Sequence, residues 1–114
     1  MKIYTAHAIA RMGQRGIDGK MIDYVLRQGE VEGIKYTTSQ HLVNKQISEL
    51  KVKSTKLQRL LKRFKRLGVA KLITDKLAQI KADLKIAAKI RDKHGITVIC
   101  NNGVIITTYN NIQN

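Results

Sequence analysis

The chain contains no proline and no tryptophan, a single cysteine, a single phenylalanine, and only 8 acidic residues among 114. Each scarcity excludes something. Without proline, nothing in the chain forces a helix to break. With Cys100 alone, no internal disulfide can close and no cysteine-based metal cluster can be assembled; in "ITVIC" it reads as a small buried thiol. An aromatic fraction of 4% leaves the core to Ile, Leu, Val and Met, and makes a base-stacking platform of the single-strand-binding kind hard to build. No apolar run approaches the ~18 residues of a membrane span. The start, "MKIYTAHAIARMGQRG", also lacks the uninterrupted apolar stretch of a secretory signal, so a cytoplasmic protein without a membrane partner is expected.

Positive charge, by contrast, is abundant. With 22 Lys and Arg against 8 acids the formal charge is +14, a surface suited to neutralising phosphates and releasing their counterions. RNA or DNA is the leading partner. The length allows one core but not two, so residues 1–114 are read as a single domain.

Thr5 can cap a helix running from about Ala6 to Arg15, with Ala8, Ile9 and Met12 inward, and Gly16 suits the left-handed position that ends it. Asp18 caps a second helix in which Met21, Ile22, Val25 and Leu26 keep helical spacing until Gly29. Together they predict an αα-hairpin. "EVEGIKYTT" has strand character, with Gly33 weakening it or marking a bulge. From about Ser39 to His94 the pattern is helical. Thr55 is expected to cap "TKLQRLLKRFKRLG", whose Leu57, Leu60, Leu61, Phe64 and Leu67 form one face; Ile73, Leu77, Ile80, Leu84 and Ala87 form the face of a further helix. At the end, "ITVIC" and "VIITTY" are strands joined by Asn102-Gly103, the pair a type I′ turn prefers. A two-residue turn would set Ile99 opposite Ile106 and Val98 opposite Thr107.

Positions i, i+4 and i+8 of a helix share one side, so His7, Arg11 and Arg15 form a stripe with Gln14 beside it. Imidazole exchanges protons near neutral pH and guanidinium forks onto phosphate oxygens, the two functions that metal-free RNA cleavage needs. A solvated basic face would have the same spacing. His41 lies at an expected strand-to-helix junction and is a second proton-transfer candidate; His94, before Gly95, reads as a helix-end cap. Histidines and acids are not spaced as a ligand set, so neither metal nor cofactor is expected. Most of the net charge lies between Lys51 and Lys93. Its "KRFKR" block, with Lys62, Arg63, Lys65 and Arg66, has the look of a surface that tracks a phosphate backbone. Acidic pairs for glycosidase work, a Ser-His-Asp set and a phosphate-cradling glycine loop are absent from the sequence.

"HAIARMGQRGI", then "YVLRQGEV" and much later "GITVICNNGVIITTY", resembles a family of small bacterial domains of unknown function. Its members open with a His-x-x-x-Arg-Met-x-x-Arg-Gly-Ile type segment and close with a hairpin ending in Thr-x-Tyr. That family is grouped with the RelE, barnase, EndoU and colicin-type ribonuclease toxins. The resemblance covers both ends of the chain, about half of it. It implies an αα unit on an antiparallel sheet, metal-independent ribonuclease activity, and an acidic antitoxin or immunity protein as partner. By motif, His7 would exchange the proton, Arg11 and Arg15 would bind phosphate, and Thr107 and Tyr109 would be the polar residues at the far end of the last strand. Being two apart, Thr107 and Tyr109 share a strand face. The middle departs from the family, being longer and more basic, so that about 44–94 reads as a basic helical insertion and Lys35 and Lys53 are unplaced cations.

The fold expected is therefore α+β: the N-terminal αα-hairpin and the long basic helices packed on a small antiparallel sheet, RelE-like. The function expected is a toxin-type endoribonuclease that leaves a cyclic phosphate. The alternatives are a non-catalytic RNA- or DNA-binding module, and a helical interaction protein that docks an acidic partner or a second copy.

Overall fold

Thr5 begins helix α1 (Ala6–Arg15) as its position predicts, its hydroxyl oxygen accepting the Ala8 amide at 3.0 Å. Gly16 ends α1 with φ at 64°, a conformation that a side chain would strain, and Ile17 turns back into the core. Asp18 then caps α2 (Gly19–Gln28), accepting from the Met21 amide at 2.9 Å. These elements belong to a computed structural model that describes residues 2–64, 66 and 68–111.

Among the described residues the fold is α+β, with four helices and a five-stranded mixed sheet. The remaining elements are β1 (Ile3–Tyr4), β2 (Glu30–Glu32), β3 (Lys35–Ser39), α3 (Gln40–Phe64), α4 (Val69–Asp92), β4 (Gly95–Asn101) and β5 (Val104–Asn110). The strand order is β1-β5-β4-β3-β2. The expected antiparallel sheet is instead mixed, because β1 joins its edge parallel to β5. The chain enters α1 directly after β1, and Thr5 ties that junction to β5 through its amide to the Ile105 carbonyl (3.0 Å) and its hydroxyl to the Ile106 carbonyl (2.8 Å).

Three further expectations change. "EVEGIKYTT" folds as a hairpin, β2 turning at Gly33 (φ 62°) into β3, rather than as one strand. Thr55 does not cap a helix: α3 runs unbroken past it, and its hydroxyl donates back to the Lys51 carbonyl at 3.1 Å, an internal bond that removes its reason to stop the helix. In the last hairpin Asn102 and Gly103 take the positive φ values of a type I′ turn, at 52° and 79°, and Asn101 faces Val104. A bulge at Ile99/Cys100 then shifts the register, so Ile99 faces Thr107 and Val98 faces Thr108.

The helices cover one face of the sheet. Ala8, Met21, Ile22, Val25, Val43, Ala87 and Ile90 join Ile96, Val98 and Ile105 in one core. Ile9, expected inward on α1, is 60% exposed. Only the start of α3 and the end of α4 reach this core, and between Ile47 and Ile80 no described residue is buried. The two helices continue outward as an antiparallel arm. At 1.5 Å per residue α3 is about 37 Å long, which explains principal extents of 50 × 32 × 25 Å and a radius of gyration of 16.4 Å, against roughly 13 Å for a compact chain of this size.

Candidate functional site

The sheet's second face is polar, and strand periodicity builds it. Lys35, Thr37 and Ser39 alternate along β3 and so point to the same side. Across the strands, Glu32, Lys35, Ile99 and Thr107 form one row; Glu30, Thr37, Thr97 and Tyr109 form the next. The bulge matters here, because after it Thr107 and Tyr109 share this face while Thr108 turns into the core.

A cavity of about 510 Å³ opens on this face, lined by Lys35, Thr37, Ser39, His94, Thr97, Tyr109, Asn110 and Asn111. It is open and shallow, a groove on the sheet rather than an enclosed pocket. The floor is a hydroxyl relay. Thr97 Oγ1 donates to Asn111 Oδ1 at 2.7 Å, which uses its one proton, so Thr37 must be the donor in the 3.3 Å contact between the Thr37 and Thr97 hydroxyls. Asn111 is fixed in turn by its amide to the Gly95 carbonyl at 3.0 Å.

His94 stands at the cavity wall on the turn from α4 to β4. Its amide donates to the Arg91 carbonyl at 2.9 Å, and its φ of 62° is left-handed, a conformation in which histidine is enriched among non-glycine residues. Gly95 makes that turn possible. Its φ is 95°, and a Cβ there would lie 2.6 Å from the Thr38 carbonyl oxygen. The residue that caps α4 is Lys93 and not, as the sequence predicts, His94, which lines the cavity. Lys35, expected with Gln14 among the substrate-binding residues but without a place in the fold, lines the cavity with His94 and Tyr109. Glu30 and Glu32 line an adjoining cavity of about 410 Å³ that shares Lys35 and Thr37. These two carboxylates repel an anion from the β2 edge.

The α1 stripe is a separate surface. His7, Gln14 and Arg15 are exposed, Arg11 half-buried, and Arg11 donates to Gln14 Oε1 at 3.0 Å. No residue of α1 lines the sheet-face cavity. The stripe approaches it at one end, where Lys93, beside His94, donates to the Arg15 carbonyl at 2.8 Å. His7 lies two turns further along α1, about 12 Å by helix rise. Thr107 shares the polar face but sits one row nearer the hairpin turn. His41 is exposed at the start of α3. Lys62, Arg63 and Arg66 are exposed at the outer end of the arm; Lys65 and Leu67 lie outside the described residues.

A second cavity, about 520 Å³, lies between α2 and α4 and includes Lys20, Arg27, Asp83, Lys85 and Lys89. It marks the arm's joint. Arg27 Nη2 pairs with Asp83 Oδ1 at 3.2 Å, and the guanidinium carbon Cζ sits 5.7 Å from the centre of the Tyr24 ring. The Tyr24 hydroxyl donates to Gln46 Oε1 at 2.7 Å, and Gln46 donates to the Gln28 carbonyl at 2.8 Å. Burial, aided by the Asp83 carboxylate, pushes the Tyr24 phenol up from 10.0 to about 12. Among the described residues no three His, Cys, Asp or Glu side chains gather to hold a metal ion, and no helix is long and apolar enough to cross a membrane.

No family model, curated protein or solved structure matches the chain. The functional reading therefore stands on the residues and their arrangement.

Proposed function

We propose that the protein is a metal-independent endoribonuclease that cuts RNA on the open face of its sheet. The observation that supports this is the convergence of Lys35, His94 and Tyr109, from β3, the α4–β4 turn and β5, on one cavity. In the reaction, the His94 imidazole takes the proton of a ribose 2′-hydroxyl, and O2′ attacks the adjacent phosphorus. The bond to the 5′-oxygen breaks, the leaving oxygen takes the Tyr109 phenolic proton, and the products are a 2′,3′-cyclic phosphate and a 5′-hydroxyl. Lys35 offsets the charge that builds on the non-bridging oxygens. Solvent then returns a proton to Tyr109 and accepts one from His94. Acid–base help of this kind is worth about 10²- to 10⁴-fold.

In this reading Arg15 and Arg11, on the separate surface of α1, hold phosphates that flank the cut, and the family resemblance gives His7 the proton-transfer role instead. The αα-hairpin beside the sheet and the closing hairpin support a RelE-like arrangement acting on cytoplasmic RNA, with an acidic antitoxin or immunity protein as the inhibitor such a basic toxin requires. Incubation of total RNA with the pure protein in excess EDTA tests the reading. Products with cyclic phosphate ends are expected; an intact RNA pool across several buffers would overturn it.

A further inference from the structure

The arm contributes nothing to the core, yet carries most of the charge. From Ser48 to Gln79 there are ten Lys and Arg against two acids, so this segment holds +8 of the chain's +14. Among its described residues the single ion pair is Lys71–Asp75, at 3.0 Å and largely exposed. No other described cation of the segment has an acidic partner, and packing alone gives no reason to project so many of them about 25 Å along α3 beyond Ile47.

We propose that this arm binds the backbone of double-helical RNA, making a structured, duplex-containing RNA the substrate class. The inference rests on the reading above for the kind of nucleic acid, but not on cleavage. Three observations favour a duplex. The arm has one aromatic residue, Phe64; it is half-buried, with the Arg63 guanidinium 5.6 Å from its ring centre, so no stacking platform for a single strand exists there. Six of the ten cations lie along the one unbroken 25-residue helix α3, whose regular repeat suits the fixed phosphate rows of a duplex, and A-form RNA is read chiefly by shape and backbone. Finally, most of the seam between the two helices is already used. Leu57, Leu61, Phe64, Ile73 and Leu77 are half-buried; Leu60, expected with them, is exposed, as are Val52, Val69 and Leu72, whereas a membrane-surface helix needs the whole apolar face free to insert.

The test uses a duplex of 2′-O-methyl RNA, which lacks the attacking hydroxyl and cannot be cut, of about 16 base pairs, the span of a double-strand-binding domain. Its binding is followed by fluorescence anisotropy beside polyuridine of equal length and phosphatidylglycerol vesicles. The variant combines Lys53→Gln, Lys56→Gln, Arg59→Gln and Arg63→Gln, all at exposed positions of α3, and circular dichroism checks its fold. The wild type is expected to prefer the duplex over polyuridine by about tenfold or more. The variant is expected to lose about 30-fold at ~0.1 M salt, with its salt slope flattened by about 3 to 4. Replacing the same four positions by the other basic residue should restore binding. Unchanged duplex affinity in the folded variant, a preference for polyuridine, or arm-dependent binding to vesicles alone would overturn the proposal. A protein that binds the duplex through its arm yet cuts no RNA would leave this inference standing and overturn the ribonuclease reading; one that cuts RNA while the variant binds unchanged would do the reverse.

Discussion

Helix α4 is one continuous helix with two different fates. Near its end Ile90 is fully buried against the sheet, whereas near its start Leu72 is 71% exposed. Both occupy positions that amphipathic spacing makes apolar. The difference is what lies opposite: the inner part meets a sheet and α2, while the outer part meets only α3. Two helices cover a seam but cannot enclose it, so the arm is held by its root. There Tyr24, Arg27, Gln46 and Asp83 link α2 to both arm helices. The core thus fixes the cavity wall at His94, and the arm is free to present charge.

Mutations can break this contrast. The largest effect is expected for Ile90→Ala, about 3 kcal/mol by urea denaturation, as for a buried aliphatic side chain cut to a methyl. Next comes the joint. Because the Tyr24 phenol is raised from 10.0 to about 12, the folded state holds that proton more tightly than the unfolded one. The corresponding stability is fully present below about pH 10 and is lost as pH rises from there through about 12. Between those limits the wild type should lose roughly 2–3 kcal/mol more than Tyr24→Phe, which has no phenol to ionise. Lysine deprotonation occurs in both proteins, so the difference between them is the quantity to measure. Asp83→Ala should cost less, about 1–2 kcal/mol, since its partner Arg27 is nearly half exposed and stays hydrated. Leu72→Ala should change stability by no more than about 0.5 kcal/mol. A loss at Leu72 equal to that at Ile90 would mean that something covers the arm in solution.

What was legible in the sequence was local. Thr5, Gly16 and Asp18 announce the αα-hairpin because a cap and a left-handed turn involve only neighbouring residues, and Asn102-Gly103 announces the last turn for the same reason. The parallel pairing of β1 with β5 joins residues about a hundred positions apart, and no short motif reports it. The bulge at Ile99/Cys100 is set by the sheet, so the register derived from the turn alone held for the first pairs and failed beyond them. Thr55 showed how a capping residue misleads when its hydroxyl bonds back within the helix. On the polar face, the alternation Lys35, Thr37, Ser39 was a readable signal. The position of His94 signals a helix end and nothing of the cavity, and Tyr109 reaches the same cavity only through the β4–β5 pairing. Thr97, in an apolar run, gave no sign of its relay with Thr37 and Asn111.

The most direct test of the division between the sheet face and the arm is a single-turnover cleavage assay on an RNA hairpin, at protein concentrations from limiting to saturating. Wild type, His94→Ala, His7→Ala and the four-site arm variant would be run side by side. His94→Ala is expected to cut about 10²- to 10⁴-fold more slowly at saturation with its half-saturation point unchanged. The arm variant is expected to shift that point while reaching the wild-type rate. Wild-type cutting by His94→Ala together with its loss in His7→Ala would move the chemistry to α1, and a lowered saturated rate in the arm variant would contradict the division itself.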